Sequence, residues 1–186
     1  MGYYRRINFV IVLLLQLLVV ASCVSDIDLD RIDEVVLTPR IDADLVFFTL
    51  SASDFETANT NTAQLVVRDT TRLEFLDDNV VQENLKEIEL TYRSDNTFNS
   101  ALINRSLFLD DAGVIQYEVS FPINASQNGE VATTRYQVIL SEEDIEAIRN
   151  SIQLVNEVTL FTNGIVSEGV LTLQSKAVYS LELSDL

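Results

Sequence analysis

The sequence contains no histidine and no tryptophan, and it has only one cysteine and five glycines. The lack of histidine excludes a Ser-His-Asp triad, and it removes the nitrogen ligand of the common zinc sites. Neither a Gly-x-Gly-x-x-Gly pattern nor a P-loop occurs, so no sequence feature indicates a nucleotide, flavin or nicotinamide cofactor. We therefore predict no catalytic residues, no cofactor-binding residues and no cofactor.

Basic residues are scarce as well. The 186-residue chain has 12 Lys+Arg against 29 Asp+Glu, a formal net charge of −17. Such a chain repels nucleic acid and anionic lipid, so we expect no nucleic-acid partner and no attachment to a membrane through a basic patch. A hydrophobic content of 47% still supports a folded core. A single cysteine allows no internal disulfide.

The N-terminus has the layout of a signal peptide. Arg5 and Arg6 form a short basic region, and the apolar run at 9–20 is interrupted only by Gln16. This run is too short to span a bilayer comfortably, because a spanning helix needs roughly 20 apolar residues. We therefore predict that residues 1–22 are a signal peptide.

Val20-Ala21-Ser22-Cys23 closes the apolar run and resembles the bacterial lipobox. The resemblance implies that the Cys23 thiol receives a diacylglyceryl group, that the chain is cut before Cys23, and that the new amino group receives a fatty acid such as palmitate. Several acyl chains give stable anchoring where one chain does not. The alternatives are an ordinary signal peptide with a chance cysteine, or an uncleaved anchor.

Residues 23–33 are expected to form a lipidated acidic tether. Asp26, Asp28 and Asp30 alternate with aliphatic residues. They resemble the acidic export signal of surface lipoproteins of the Bacteroidota type, which implies the bacterial outer membrane and a domain facing the cell surface. A solvated linker on the periplasmic face and a charged edge strand remain as alternatives.

Apolar and polar residues alternate with a period of two through the rest of the chain, which is typical of strands with one face on a core. Pro39 indicates a bend or an edge position in the first of them. The strand candidates are 35–50, 65–76, 85–92, 101–109, 115–121, 136–140, 157–162 and 171–183.

One helix is expected near residues 142–153. Ser141 has the character of an N-cap, acidic residues fill the first turn, and Ile145, Ile148 and Ile152 recur at helical spacing. Turn-forming residues at 77–79, 94–96, 110–113, 127–129 and 163–164 are typical of antiparallel hairpins. Residues 34–186 are thus predicted to form one all-β domain, an antiparallel β-sandwich of about eight strands with one short helix.

This layout resembles the small, functionally uncharacterised β-sandwich lipoproteins of the Bacteroidota type. The shared features are the lipobox, the acidic start, a strand near residues 42–55, Asn-Thr-Phe-Asn at 96–99, a helix after a Thr/Tyr-rich strand, and a long final strand. The resemblance implies a surface or periplasmic role without an agreed activity. It supplies no site residue beyond Cys23.

Calcium is the metal that the sequence leaves open. Asp77, Asp78, Asp110 and Asp111 lie in predicted turns, and carboxylates on flexible loops are calcium ligands. The alternative is that these residues only start turns by accepting hydrogen bonds from nearby backbone amides. Neither run has EF-hand spacing, so the first expectation is that no metal is bound.

Glycan binding and acid-pair hydrolysis are the other candidate functions. Glycan binding needs an exposed aromatic side chain, and Phe98 is the aromatic expected in a loop. Phe47 and Phe48 are adjacent, so both cannot point inward from one strand. Tyr117, Tyr136 and Tyr179 lie in phase with apolar faces and are expected in the core. Hydrolysis needs two paired carboxyls, whereas most acids on such a chain are solvated.

We therefore expect a lipid-anchored envelope lipoprotein with a non-catalytic binding or structural role. It is held in the membrane through the acyl chains on Cys23, with an envelope protein or a glycan as partner. The alternative is a calcium-dependent or glycan-binding surface module, and the third candidate is an acid-pair hydrolase.

Cys23→Ala is predicted to leave an unprocessed precursor, because lipidation of the thiol precedes cleavage of the leader. The mass of the membrane-associated protein measures this directly, with Ser25→Ala as the matched control. Normal maturation of Cys23→Ala would contradict the lipobox.

Overall fold

The computed structural model describes residues 36–56, 64–76, 78–161 and 168–184. The chain divides into two units. Val36–Leu183 contains every described helix and strand, and Met1–Val35 with Ser184–Leu186 forms the other unit. The predicted signal peptide at 1–22, the predicted tether at 23–33 and the lipidation of Cys23 lie outside the described residues and stay predictions.

Eight strands form the described domain, which confirms the all-β expectation. They are β1 Arg40–Ser51, β2 Gln64–Arg72, β3 Leu85–Asn96, β4 Leu102–Leu109, β5 Ile115–Ile123, β6 Ala132–Ile139, β7 Gln153–Phe161 and β8 Val170–Leu181. Three short helices lie between them, where the sequence predicted only one: α1 Ala52–Glu56, α2 Asn79–Asn84 and α3 Glu142–Ile148.

The two halves of the chain pair with each other. β1 pairs with β8, β2 with β7, β3 with β6 and β4 with β5, all antiparallel. The pairings of β3 with β8 and of β4 with β7 then join these four strand pairs into two sheets. Sheet one has the order β1-β8-β3-β6, and sheet two has the order β2-β7-β4-β5. Eight strands in this order form a jelly-roll sandwich.

Alternate side chains of each strand meet between the sheets. In β8, Leu171 and Leu173 are fully buried whereas Gln174 and Lys176 face solvent. The tyrosines at 117, 136 and 179 all belong to the core or pack against it, as expected from their phase. Burial of these apolar faces is the main favourable term in folding.

The first strand is shorter than expected because of Pro39. β1 begins at Arg40, directly after the proline, and Leu37 makes only an isolated bridge to Leu183. β1 is an edge strand of sheet one, where a missing N–H disrupts no ladder. The predicted edge position is therefore confirmed, and residues 36–39, which the sequence assigned to this strand, lie outside it.

Helix α3 has the predicted start and an earlier end. Ser141 and Asp144 form a reciprocal capping box at its N-terminus. The helix ends at Ile148 because Ile152, which was expected within it, donates its backbone N–H to the Leu109 carbonyl at 2.9 Å. The backbone of Ile152 is thus already held beside the end of β4.

The hairpin between β5 and β6 has the predicted turn. Asn128 and Gly129 both have positive φ, at 55° and 79°. This backbone matches the right-handed twist of paired strands, and Asn and Gly adopt it at low cost.

No helix among the described residues combines the length and apolar character that crossing a bilayer requires.

A polar cluster formed by Tyr92, Asn104, Ser106 and Asn156 lies between the two sheets. The Ser106 hydroxyl donates to Asn156 Oδ1 at 2.6 Å and accepts from Asn104 Nδ2 at 3.1 Å. The Tyr92 hydroxyl has no hydrogen-bond partner of ordinary geometry among the described residues. Burial raises the pKa of Tyr92, and the neighbouring Ser106 hydroxyl offsets this only in part.

Two substitutions that each remove one buried hydroxyl are predicted to have opposite effects. Tyr92→Phe removes a group without a partner and keeps the ring packing on Phe121, so it should raise the free energy of unfolding by about 1 kcal/mol. Ser106→Ala leaves the side-chain amides of Asn104 and Asn156 without this hydrogen-bond partner, so it should lower the free energy of unfolding by about 2 kcal/mol. Urea unfolding measures both. Destabilisation by Tyr92→Phe would show that its hydroxyl is satisfied.

Candidate functional site

A β-bulge in the edge strand β1 decides which way its aromatic side chains point. The register with β8 shifts between Asp44 and Val46, so Leu45 is an extra residue. Both Leu45 and Val46 are buried, and the alternation restarts beyond them. Phe48 then packs on the core, and the Phe47 side chain lies on the outer face with 72% exposure. Bulges are common where a strand re-aims a side chain.

The expectation that Phe47 and Phe48 cannot both point inward is confirmed. The sequence did not indicate which one faces solvent. Without the bulge, strict alternation would have turned Phe47 inward and Phe48 outward, because a one-residue shift exchanges the two faces.

Phe47 borders a groove on the outer face of sheet one. The groove is open to solvent, has a volume of about 520 Å³ and crosses β1, β8 and β3. Besides Phe47, its lining comprises Asp44, Leu45, Val46, Thr91, Arg93, Gln174, Ser175 and Lys176. An apolar ring thus stands beside hydroxyl, amide, guanidinium and ammonium groups.

The charges of the groove are held only loosely. Arg93 pairs with Asp95 at 3.0 Å and Lys176 with Asp42 at 3.6 Å, and both basic side chains are about half exposed. Exposed pairs of this kind contribute about 0–1 kcal/mol. Arg93 and Lys176 therefore stay available as hydrogen-bond donors to a ligand, and Gln174 offers both a donor and an acceptor.

A row of charges crosses the outer face of sheet two, with one residue from each strand. Arg68 pairs with Glu157, which is only 6% exposed, and Arg105 bridges Glu157 to Glu118. Arg105 contacts both Glu118 oxygens at 2.8 Å. The ladder places Arg68 and Arg105 beside Glu157 on neighbouring strands, so the row follows from strand register.

Glu118 and Glu157 share Arg105 and are the carboxyl pair to weigh against the hydrolase hypothesis, and the environment of Glu118 does not suit a general acid. The hydrogen bonds from Arg105 lower the pKa of Glu118. A glycosidase acid needs the opposite shift. We therefore assign this row to cross-strand stabilisation.

The aspartates proposed as calcium ligands act locally. Asp78 caps α2 by accepting from the backbone N–H groups of Val80 and Val81. Asp110 accepts from the amides of Ala112 and Val114, at 3.0 and 2.8 Å. Its second oxygen accepts from the Gln116 side chain at 2.7 Å.

The described calcium candidates lie on two connections that leave sheet two at the same end, because β2 and β4 both end opposite Gln153. Asp78 lies on the β2–β3 connection and Asp110 on the β4–β5 connection, while Asp111 is exposed and Asp77 lies outside the described residues. Within the described ranges, no group of three or more acidic or thiol side chains is positioned to hold a metal ion.

Phe98 lies in the loop between β3 and β4, as expected, but its side chain is buried and cannot serve as an exposed aromatic platform for a glycan. Its ring is 1% exposed and meets Phe55 edge to face, with centroids 5.6 Å apart. Asn96 holds the loop by accepting from the Phe98 amide and donating to the Asn124 carbonyl. Gly169 is required beside the ring, because a Cβ there would lie 2.2 Å from Phe98 Cδ1.

No protein-family model matches the chain, and no curated protein matches it in sequence. Structural similarity is found to a Parabacteroides distasonis ATCC 8503 protein provisionally described as secreted, at 10% identity and TM-score 0.44, covering 62% of this chain and 38% of that chain. The VP2 subviral particle of infectious bursal disease virus gives 6% identity and TM-score 0.47, covering 77% of this chain and 32% of that chain.

The enzymatically active domain of bacteriophage CBA120 tailspike protein 4 gives 10% identity and TM-score 0.36, covering 81% of this chain and 19% of that chain. The chain thus spans 38% or less of the length of all three proteins. Identities and TM-scores this low carry no inference about activity or partner.

Calcium is predicted to leave the melting temperature unchanged, because the carboxylates of Asp78 and Asp110 already accept hydrogen bonds from the backbone. Asp110→Ala should lower the free energy of unfolding by about 1–2 kcal/mol with or without the ion. Thermal unfolding with millimolar calcium and with a chelator measures both effects. A rise of several degrees that Asp110→Ala abolishes would establish a calcium site.

Proposed function

We propose that this protein is a lipid-anchored, non-catalytic glycan-binding protein of the bacterial outer membrane, with the binding groove on the outer face of sheet one directed to the cell exterior. The observation that carries the proposal is the Phe47 ring, 72% exposed at the border of a polar groove.

An exposed aromatic ring favours a ligand with an apolar face. Burying such a ring contributes substantially to binding, and its two torsions cost little entropy when it is immobilised. The C–H face of a sugar ring can stack on Phe47. The hydroxyl groups of the sugar can form hydrogen bonds with Gln174, Thr91 and Arg93. All four side chains line the same groove. Because the groove is open to solvent, it can also accommodate several linked sugar units of an extended glycan.

The groove suits binding better than hydrolysis. Among the residues that line it, Asp44 is the single carboxyl group. Glycoside hydrolysis commonly requires two carboxyls about 5–9 Å apart on either side of the scissile bond. Retention of a glycan without cleavage is the activity that this set of side chains supports.

The proposed location at the outer membrane rests on the lipobox at Cys23 and on the acidic residues after it. The acyl chains would hold the protein at the membrane, since no described helix has the length to cross it. A chain with a net charge of −17 gains nothing from anionic lipid, so the domain would project away from the bilayer.

Intact cells that display the full chain are predicted to bind members of a fluorescent glycan panel. Phe47→Ala should weaken that binding at least about tenfold, because losing a stacked ring costs about 1.4 kcal/mol or more. Phe161→Ala is the matched control, since Phe161 is also an exposed aromatic, at 40%, and lies on the other sheet. Flow cytometry of labelled cells gives the readout.

Digestion of the intact cells with a protease beforehand should remove the binding while a periplasmic marker protein survives. Equal effects of Phe47→Ala and Phe161→Ala would contradict the groove. Survival of both the domain and the marker would place the domain in the periplasm and contradict the proposed orientation.

A further inference from the structure

The two sheets have four edge strands, and three of them carry features that prevent pairing with another chain. β1 follows Pro39 and contains a bulge. β2 carries the charges of Arg68, Asp69 and Arg72, and β5 contains Pro122 and a register irregularity opposite β4.

The fourth edge strand, β6, has none of these features. Residues 131–140 contain no proline, no glycine and no acid, and Arg135 is their one charged residue. The β3–β6 ladder runs over eight residue pairs without a shift. Val131, directly before the strand, and Ile139, its last residue, are 57% and 58% exposed. A straight edge rich in β-branched residues is a template for strand addition.

The free hydrogen-bonding groups of β6 follow from its ladder. Leu140 donates its N–H to the Ile88 carbonyl on β3 at 2.9 Å. Backbone groups alternate in direction along a strand, so Val138, Tyr136 and Thr134 also face β3. The N–H and C=O groups that face away from β3 therefore belong to Thr133, Arg135, Gln137 and Ile139, whose side chains are exposed on the outer face of sheet one.

We propose that two copies of this chain associate through antiparallel pairing of β6 with β6, centred on Tyr136. This register places Thr133 opposite Ile139 and Arg135 opposite Gln137 of the second copy. Each of these is a hydrogen-bonding pair, because the outward groups belong to the odd-numbered residues. The two sheets become one sheet of eight strands, and a two-fold axis closes the assembly as a dimer.

The distribution of charge favours β6 as the contact between two copies, and it also favours the register centred on Tyr136. The chain has 29 acids, so most of its surface repels a second copy, and β6 is an edge without any acid. Centring the pair on Arg135 instead would place two guanidinium groups opposite each other, and like charges at opposite positions destabilise a ladder. Centring it on Tyr136 places the neutral Gln137 of the second copy opposite each Arg135, whose other ladder neighbour is Arg93 on β3.

The two-fold axis stands perpendicular to the shared sheet, so both outer faces point the same way. The groove beside Phe47 lies on that face in each copy. A dimer would thus present two grooves toward one surface, and bivalent attachment to a polymeric ligand raises avidity without any new contact. The pairing itself does not rest on the proposed glycan function.

Cysteine cross-linking of the full chain at the membrane tests the dimer. Cells producing Thr133→Cys and Ile139→Cys chains together should give a disulfide-linked dimer under mild oxidation, since opposite residues in such a pair have Cα atoms about 5.5 Å apart. Either variant alone should give at least tenfold less dimer, because identical positions lie roughly 20 Å apart in this register. Non-reducing gel electrophoresis reports the product.

Arg40→Cys with Thr49→Cys, on the guarded edge β1, is the matched control and should not cross-link. The unsubstituted chain controls for Cys23. No dimer in the mixed cells, dimer from either variant alone, or linkage only to a different protein would each overturn the proposal.

Charge exchange provides a second test. Gln137→Lys places a cation opposite Arg135 twice in the dimer and should reduce the cross-link at least fivefold. Adding Arg135→Glu to that variant should restore it. Both side chains are exposed on the outer face. Gln137→Lys keeps Glu89 as the neighbour of that side chain, and Arg135→Glu places a carboxylate opposite Arg93, so both substitutions suit the ladder within each copy. Failure of the double variant to restore the cross-link would exclude this register.

Discussion

The pairing of the first half of the chain with the second half is the constraint on which the rest of the structure depends. β1 lies against β8, and every later pair closes inside that outermost one until β4 meets β5. The β3–β8 and β4–β7 pairings then bring residues far apart in sequence to one face. The groove beside Phe47 combines residues from β1, β3 and β8, so it exists only when this register is correct.

The bulge in β1 links the fold to the proposed function. One extra residue lets both Leu45 and Val46 contribute to the core, and it turns Phe47 to solvent instead of Phe48. The same bulge disfavours pairing of the β1 edge with a strand of another chain, whereas the ladder at the opposite edge, β6, is regular. Sheet one therefore carries the groove proposed to bind a glycan near one edge and the edge proposed for self-association at the other.

Polar side chains are used in two different ways on the two sheets. On sheet two, the row from Arg68 to Glu118 pairs each charge with a neighbour, which stabilises the ladder but leaves little free for a ligand. On sheet one, Arg93 and Lys176 form weaker exposed pairs beside the groove. The difference explains why we place binding on sheet one although sheet two carries the more strongly paired charges.

The sequence by itself determined the class of the fold, because period-two alternation in eight segments requires strands with one buried face. It also determined the cap at Ser141 and the turn at Asn128 and Gly129, since each depends on neighbours in the chain. Lipid attachment at Cys23 rests on the sequence alone and stays a prediction. Only the tertiary structure decided the strand order, the burial of Phe98, and the meeting of Phe47 with Gln174 and Arg93. Those features depend on long-range register and on one bulge, and local patterns of hydrophobicity carry no information about either.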